Sequence, residues 1–265
     1  MSAFASLAAP LAGRVLLACG ALALAFASLH AADAPAPKPG DIVTNSVGMK
    51  LAYVPAGEFD MGSAADEKGH EEDEARHRVK LTKAFRIGVT EVTQGQWKAV
   101  MGQRRGKFEG DDLPVEDVSW TDAKAFCEKL SKAEGKTYRL PTEAEWEDAC
   151  RAGATGRFAG EKLADLAWFD DNADGKTHPV ATKKPNAWGL YDMHGNVAEW
   201  CADAYAPDYP SGTVVDPAGP AEGKGRVVRG GSFASLERGC RSASRSSTPA
   251  AYQMKTVGLR VVCNE

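Results

Sequence analysis

A cysteine surrounded by arginines lies near the C-terminal end of the chain. The segment RGGSFASLERGCRSASR, Arg229 to Arg245, holds four arginines and one cysteine, Cys240. Cations beside a thiol lower its pKa, so Cys240 could be a nucleophile or a metal ligand. In an exported protein the same cysteine could equally be one half of a disulfide. These residues alone leave both interpretations open.

Paired carboxylates around a turn form a second candidate for chemistry. In the segment DMHGNVAEW, Asp192 and Glu199 lie on either side of a Gly-Asn turn, where Gly195 is expected to let the backbone reverse. Two carboxylates and inward-facing carbonyl groups are the oxygen ligands that Ca²⁺ binds. The alternative is a turn with solvated acids. His194, in the middle of this segment, is expected to be a packed or exposed loop residue rather than a general base.

Two further patterns could mimic metal sites. His70 and His77 lie among acidic residues in DEKGHEEDEARHRVKL, but a run of charges more often forms a solvated loop, which is the interpretation we favour. No cysteine shows the CxxC or CxxH spacing of a structural zinc site, so zinc is not expected.

The elements that must position these residues can be read from periodicity and end signals. Apolar residues at helical spacing predict helices over Thr93 to Met101 and from Ser119 or Thr121 to Gly135. A third helix begins at Thr142, where Glu145 completes a capping box, and is expected to end at Gly153. MKLAYVPAGEFDMGS predicts two short strands, and the chain after Gly153 predicts irregular backbone with brief strands. The fold class is therefore α+β, in one domain.

The start of the chain predicts export. The apolar run from Val15 to Leu29 follows a single charge, Arg14, which is typical of a cleaved signal peptide over residues 1–31. A membrane anchor is the alternative, although the run is shorter than the roughly 20 residues that span a bilayer. Lipidation at Cys19 is a second alternative. A Pro-rich leader over residues 32–44 and a domain over residues 45–265 are predicted to follow.

Net charge and cysteine count limit the partners and the disulfide pairing that can be expected. Without Arg14 the chain has 31 basic residues (32 less 1) and 36 acidic residues, a net charge of −5 (31 less 36), which gives no reason to expect nucleic acid as a partner. The protein is expected in the periplasm or secreted and not embedded in a membrane. Five cysteines remain after signal removal, an odd number, so pairing would leave one over.

Seven motifs occur in an order that resembles one family. They are VPAGEFDMGS, EVTQGQW, LPVEDVSWTDAKAFC, YRLPTEAEWEDACRAG, KPNAWGLYDMHGNVAEW, VVRGGSF and GLRVV. From Asn45 to Val262 the chain resembles the sulfatase-modifying-factor, or formylglycine-generating enzyme, family. The resemblance implies a single compact domain related to the C-type lectin fold, low in regular secondary structure and braced by calcium and disulfides.

The resemblance implies calcium at two places. The first site uses the side chains of Asp192 and Glu199 and the carbonyl groups of Gly195 and Val197. The second site falls in WFDDNADG, where the matching residues are Asn172 and Asp174.

The copper site of the family is not matched. Its two cysteines follow the Gly-Gly-Ser, the first three residues past the serine and the second five residues further on. Ser232 matches that serine, but Ser235 occupies the first cysteine position. Cys240 begins CRSASRSSTP, which resembles a later Cys-Ala-Ala-Arg segment, half of a disulfide. Because Cu(I) prefers thiolate ligands, copper is not expected.

Disulfides and one further departure also follow from the resemblance. The family pairing implies the bridge Cys150–Cys240. It also implies Cys127–Cys263, although the family's second cysteine falls at Val261, and Cys201 is left over. Ala198 stands where the family has a tryptophan that lines the substrate cleft.

These departures favour an exported binding or accessory protein, expected to be monomeric, over an enzyme. Its ligand would be a protein, peptide or glycan held in a C-terminal cleft by Phe233, Arg238, Arg241 and Arg245, because arginines bind carboxylate or sulfate in a bidentate manner. One alternative is an oxygen-dependent oxidase that generates formylglycine or carries out a related oxidation on a protein or peptide. Another is an enzyme of unrecognised chemistry with a metal held by Asp and His residues.

Overall fold

Serine and threonine side chains start the three longer helices of the computed structural model, which describes residues 35–265. The helices are α1 (Gln94–Met101), α2 (Trp120–Glu134) and α3 (Glu143–Arg151). Thr93, Ser119 and Thr142 each complete a capping box, as the sequence predicts for Thr142. Helix α3 ends at Arg151, and its C-cap Ala152, with φ of 46°, comes one residue before the predicted Gly153. A single further turn, α4, spans Leu163–Leu166.

Strands fall into three sheets within the described residues. The first sheet has the order β1-β2-β5-β12-β6, the second β10-β9-β7-β11 and the third β3-β4-β8. The strands of the first sheet are β1 (Ile42–Thr44), β2 (Lys50–Val54), β5 (Phe85–Gly88), β6 (Tyr138–Arg139) and β12 (Val262–Asn264). Those of the second are β7 (Ala198–Ala204), β9 (Arg226–Arg229), β10 (Arg245–Thr248) and β11 (Val257–Gly258). Those of the third are β3 (Gly57–Met61), β4 (His77–Leu81) and β8 (Val214–Val215).

The helices and sheets enclose two large apolar clusters. The first contains the inner face of α2, with Phe126 stacked on Trp97 of α1 at 5.2 Å between ring centroids. This buried face consists of Ala123, Phe126, Cys127 and Leu130. The second cluster contains Trp146 and Cys150 of α3 together with Ile87 of β5.

The expected α+β class is confirmed, since short strands and few helices make up the described residues. The two strands predicted over 49–63 are β2 and β3. The predicted signal peptide lies outside the described residues. Part of the predicted leader does not: Ile42–Thr44 pair with β2, so the folded unit, residues 37–265, begins before residue 45. Among the described residues, no helix has the length and apolar character needed to cross a membrane.

Candidate functional site

Two loops meet where the sequence placed its candidate chemistry. One is the Asn196 loop, residues 192–197, and the other is the double-serine turn, residues 232–235. The N–H of Phe233 donates to the carbonyl of Asn196 at 2.8 Å and so joins the two. The side chain of Asn196, fully buried, accepts from His178 N–H at 3.0 Å and donates to His178 O at 3.1 Å. The Asn196 loop is therefore fixed from both sides.

The two hydroxyl groups of the double-serine turn form a hydrogen bond with each other. Ser232 Oγ lies 3.2 Å from Ser235 Oγ, and Ser235 Oγ also accepts from the N–H of Ser232 at 2.9 Å. The carbonyl of Ser235 accepts from the N–H of Asp170 at 3.1 Å. Within the described part of the chain, neither hydroxyl has a histidine or a carboxylate as a hydrogen-bond partner that could remove its proton. The turn is a local hydrogen-bonded structure and lacks the general base that an activated serine needs.

Cys240 is a packed thiol. It is fully buried in a small apolar cluster with Leu163, Ala167 and Phe169. Burial raises the pKa of its thiol to about 12, so the neighbouring arginines do not activate it. In this apolar environment Cys240 is a free, packed thiol, rather than an activated nucleophile, a metal ligand or half of a disulfide.

Cys150 faces residues other than its predicted partner. Its Sγ lies 3.7 Å from Ser242 Oγ and 3.7 Å from His194 Nε2, while Cys240 belongs to a different apolar cluster. The predicted Cys150–Cys240 disulfide is therefore not formed, and Ser242 occupies the position that faces the thiol. Burial raises the pKa of Cys150 to about 12.

The other cysteines are also free and buried in the described residues. Cys127 and Cys263 belong to the same apolar cluster, but the predicted Cys127–Cys263 bridge is not formed. Cys263 lies on β12, where it pairs with Tyr138 of β6. Cys201, left over in the sequence prediction, is fully buried in the second cluster.

His194 is a structural histidine, as the sequence predicts. Its Nε2 accepts from the N–H of Ala159 at 3.0 Å, which leaves the proton on Nδ1 to donate to the carbonyl of Cys240 at 2.8 Å. Burial lowers its pKa to about 4, although the bond to the Cys240 carbonyl acts in the opposite direction. The neutral ring links the Asn196 loop to the segment that carries Cys240.

The predicted C-terminal cleft is largely filled from within. Phe233 is 1% exposed and packs edge-on against Phe108 at 5.5 Å between centroids. Arg241 forms hydrogen bonds with Glu74 and Glu67, and Arg245 with Glu143 at 2.7 Å. This corrects the prediction that these side chains face a ligand.

Arg238 is the exception, since its side chain is exposed at the start of the 3₁₀ turn Glu237–Cys240. Only this one of the four predicted ligand-binding residues is therefore placed on the surface. Ala198, where the resemblance implies a tryptophan, is 9% exposed and pairs with Val257 of β11.

The first predicted calcium site contains an excess of buried carboxylate. Glu199 accepts from Arg260 at 2.7 Å and from Trp146 Nε1 at 2.7 Å, so its charge is already matched. Asp192 Oδ2 accepts from the N–H of Ala181 at 2.8 Å, but Oδ1 is buried without a hydrogen-bond partner. Burial raises the pKa of Asp192 to about 6.

Glu91 is a third carboxylate in this group and was missed in the sequence. It is fully buried, and its Oε1 accepts from the N–H of Val197 at 3.2 Å. Burial raises the pKa of Glu91 well above its usual range, and the charges of Asp192 and Glu199 raise it further. Single charges within apolar runs, Glu91 in IGVTEV and Arg260 in GLRVV, were the available signal.

These donors partly fit a bound cation. The Oδ1 atom of Asp192 has no hydrogen-bond partner. It belongs to a group of three carboxylates and one guanidinium, and a divalent cation would neutralise the excess negative charge of that group. Within residues 35–265, however, no group of three or more His, Cys, Asp or Glu side chains is arranged to hold a metal ion. Carbonyl groups such as those of Gly195 and Val197 would have to complete the coordination.

The second predicted calcium site is not assembled. Asn172 Oδ1 accepts from the N–H of Phe169 at 2.9 Å, and its Nδ2 donates to Ala167 O at 3.0 Å, so the amide is used locally. Asp174 is exposed, with φ of 52°. The two side chains serve a turn.

The sequence matches one family model and is similar to a known enzyme. Residues 40–265 match the model described as the sulfatase-modifying factor enzyme 1-like domain. The formylglycine-generating enzyme of Streptomyces coelicolor is 34% identical over 196 residues, which cover 64% of this chain and 58% of that enzyme. The chain thus spans a little over half the length of that relative.

Two solved structures are similar over most of the chain. Variable protein 1 of Treponema denticola has a TM-score of 0.78 and 33% identity, covering 88% of this chain and 100% of that one. PvdO from Pseudomonas aeruginosa has a TM-score of 0.78 and 30% identity, covering 87% of this chain and 100% of that one.

Proposed function

Because the chain belongs to the sulfatase-modifying factor enzyme 1-like family, as its motifs predict, we propose that it is an exported binding or accessory member without formylglycine-generating activity. The double-serine turn carries the proposal. Ser235 occupies the position where the resemblance places the first copper-binding cysteine, and its hydroxyl is hydrogen-bonded to that of Ser232. The nearest cysteine in sequence, Cys240, is a buried thiol with a raised pKa. A soft Cu(I) ion needs thiolate ligands, so this donor set does not fit it.

The surface beside the double-serine turn has the composition of a binding face. Leu236 adjoins the turn and is 55% exposed. The segment that carries Tyr252, 60% exposed, and Met254, 40% exposed, approaches the turn at Lys255, whose Nζ lies 5.8 Å from the centroid of the Phe233 ring. Arg238 adds an exposed guanidinium. Exposed aromatic, Met and Arg side chains are typical of the centres of protein interfaces. A peptide, or a glycan with a carboxylate or sulfate group, is the ligand class that supports this assignment best.

The experiment combines a turnover assay with a binding screen. Incubated with copper, oxygen and a CxPxR peptide, the purified protein is expected to give no aldehyde above a protein-free control, while a formylglycine-generating relative converts the peptide. On peptide and glycan arrays it is expected to retain ligands, and Arg238→Ser is expected to weaken retention about tenfold, because a charged hydrogen bond contributes about 1.5–3 kcal/mol.

Arg78→Ser is the matched control for the binding arm, since Arg78 is an exposed arginine on β4, with its side chain 44% exposed. Equal weakening by both substitutions would contradict the assigned face. Aldehyde formed in proportion to protein would contradict the proposal as a whole.

We further propose that calcium stabilises this protein through Asp192 and the carbonyl groups of the Asn196 loop. The unpartnered Asp192 Oδ1 supports it. A ligand at about 100 times its Kd adds about 2.7 kcal/mol, which corresponds to roughly 5–10 °C in Tm for a domain of this size. We therefore expect excess EGTA to lower Tm by that amount relative to calcium.

Asp192→Asn is expected to remove this response, while Asp165→Asn, a surface carboxylate paired with Lys184, keeps it. The same Tm in calcium and in EGTA would contradict the calcium proposal and would leave the assigned binding face unaffected.

A further inference from the structure

A cavity separate from the proposed binding face lies among β3, α3, β7 and β8. It has a volume of about 390 Å³, within the range that holds small ligands. Its apolar wall comes from β3, α3, the end of β7, β8 and the loop after β8: Met61, Ala144, Ala204, Val214, Pro217 and Pro220. None of these residues belongs to the Asn196 loop or to the double-serine turn.

The charged groups that line the cavity are unequal. Three carboxylates, Glu143, Asp203 and Asp208, face one guanidinium, that of Arg245. His77 also lines the space, and its Nδ1 donates to Ala75 O at 3.0 Å. With all three carboxylates ionised and His77 left aside, these groups carry a net charge of −2 (one positive less three negative).

Asp203 is the buried carboxylate of this group that has no ion-pair partner among the described residues. Glu143 is already paired with Arg245 at 2.7 Å and accepts from Tyr209 Oη at 3.0 Å. Asp203 is 4% exposed, and its Oδ2 accepts only from the backbone N–H of Glu143 at 2.9 Å. Among the described residues no cation forms an ion pair with it. Burial raises the pKa of Asp203 to about 7, and the charge of Glu143 raises it further.

The outer wall of the cavity is held in place. The ring of Tyr209 contacts both the Arg245 guanidinium, 4.0 Å from the ring centroid, and the His77 ring, whose centroid is 4.5 Å away. Gly219 passes so close to Asp203 that a Cβ there would lie 2.9 Å from the Cβ of Asp203. The N–H of Thr82 donates to Asp216 at 2.7 Å, next to β8. The cavity is therefore preformed, which lowers the entropic cost of filling it.

We propose that this cavity binds a small organic cation, an ammonium or amidinium group on an apolar body, with Asp203 as its counter-ion. The apolar wall would contact the body of the ligand, and the unpaired carboxylate would receive its charge. Burying an unpaired carboxylate is costly, and a cationic ligand removes that cost where a neutral one does not. An anionic ligand would meet the excess of negative charge.

The experiment uses benzylamine as the probe, with benzyl alcohol and phenylacetate as neutral and anionic matches. Titrations followed by backbone amide NMR are expected to show benzylamine shifting resonances of Ala204 and Tyr209, with binding at least about tenfold tighter than that of benzyl alcohol. Binding is expected to strengthen as the pH rises through about 7, because Asp203 must ionise to pair with the amine.

Asp203→Asn is expected to weaken benzylamine binding about tenfold or more and to flatten its pH dependence. The asparagine can still accept from the N–H of Glu143, so the fold is retained, and Asp165→Asn, on a distant surface, should bind as the wild type does. Equal affinity for benzyl alcohol, preference for phenylacetate, unchanged binding by Asp203→Asn, shifts outside the cavity or no binding would each overturn the proposal.

Discussion

Glu147→Ala is expected to lower the free energy of unfolding by about 3–5 kcal/mol, the usual result of removing one member of a buried ion pair. Glu147 is fully buried on α3. Its carboxylate accepts from Arg151 Nε at 2.8 Å, from the N–H of Gly62 at 2.8 Å and from Arg229. Alanine would leave two buried guanidinium groups without this shared carboxylate. Urea denaturation followed by tryptophan fluorescence measures the change.

The matched control is Glu128→Ala on α2. Glu128 has the same i,i+4 spacing from Lys124 as Arg151 has from Glu147, but the pair is 3.9 Å apart with side chains 50% and 72% exposed. Its loss is expected to cost less than about 0.5 kcal/mol. Equal costs for the two alanine variants would show that the buried carboxylate contributes nothing beyond a surface pair.

The prediction for α3 shows where reading the sequence succeeds and where it stops. Its capping box at Thr142 depends on neighbours within one turn, and it is confirmed. The burial of Glu147 depends on Arg229, 82 residues away in sequence. A helix with Glu and Asp between its apolar residues predicts a solvated face, because local spacing carries no information on a distant partner.

The same limit explains the arginines of the C-terminal segment. Their density predicts an exposed cationic surface, which holds only for Arg238. Arg241 meets Glu74, 167 residues away, and Arg245 meets Glu143, 102 residues away. Arginine is suited to such sites, since its planar donor groups pair with carboxylates in a bidentate manner. The charged run around Glu74, predicted as a solvated loop, supplies one of those partners.

The predicted pairing of Cys150 with Cys240 is wrong because of a small offset in the alignment. Within the structure Cys150 faces Ser242, two residues beyond the predicted partner Cys240. A resemblance transfers a pairing only as well as its alignment does, and the segment between the Gly-Gly-Ser and Cys240 is the one that departs from the family. An offset of two residues is enough to move a thiol from one apolar cluster to another.

The Asn196 loop was predicted correctly as a tight turn, but not for the correct reason. Gly195 was expected to provide a backbone conformation that other residues avoid. Instead Asp192, with φ of 60°, and Asn196, with φ of 64°, adopt the left-handed conformation. Aspartate and asparagine tolerate that region better than most residues. Gly195 is required for space, because its Cα faces the backbone of Trp168.

Gly195→Ala is therefore expected to lower the free energy of unfolding by about 3 kcal/mol, the upper part of the range for inserting a methyl group into a packed site. A Cβ at this position would lie inside contact distance of the Trp168 carbonyl oxygen and 3.0 Å from its carbon. The same carbonyl accepts from the N–H of Asn196 at 2.7 Å, so the methyl group cannot be accommodated without weakening that bond. Thermal and urea denaturation measure the loss.

Gly57→Ala separates this steric effect from the general effect of replacing glycine. Gly57 lies at the start of β3, where a Cβ would have no other atom within 4 Å, so alanine there is expected to be neutral or to stabilise by about 0.4–1 kcal/mol. Since Asn196 also holds the N–H of Phe233, Gly195→Ala should in addition loosen the double-serine turn, seen as faster amide exchange at Ser235. A Gly195→Ala protein as stable as Gly57→Ala would mean that the Asn196 loop is not packed against Trp168 as closely as its contacts indicate.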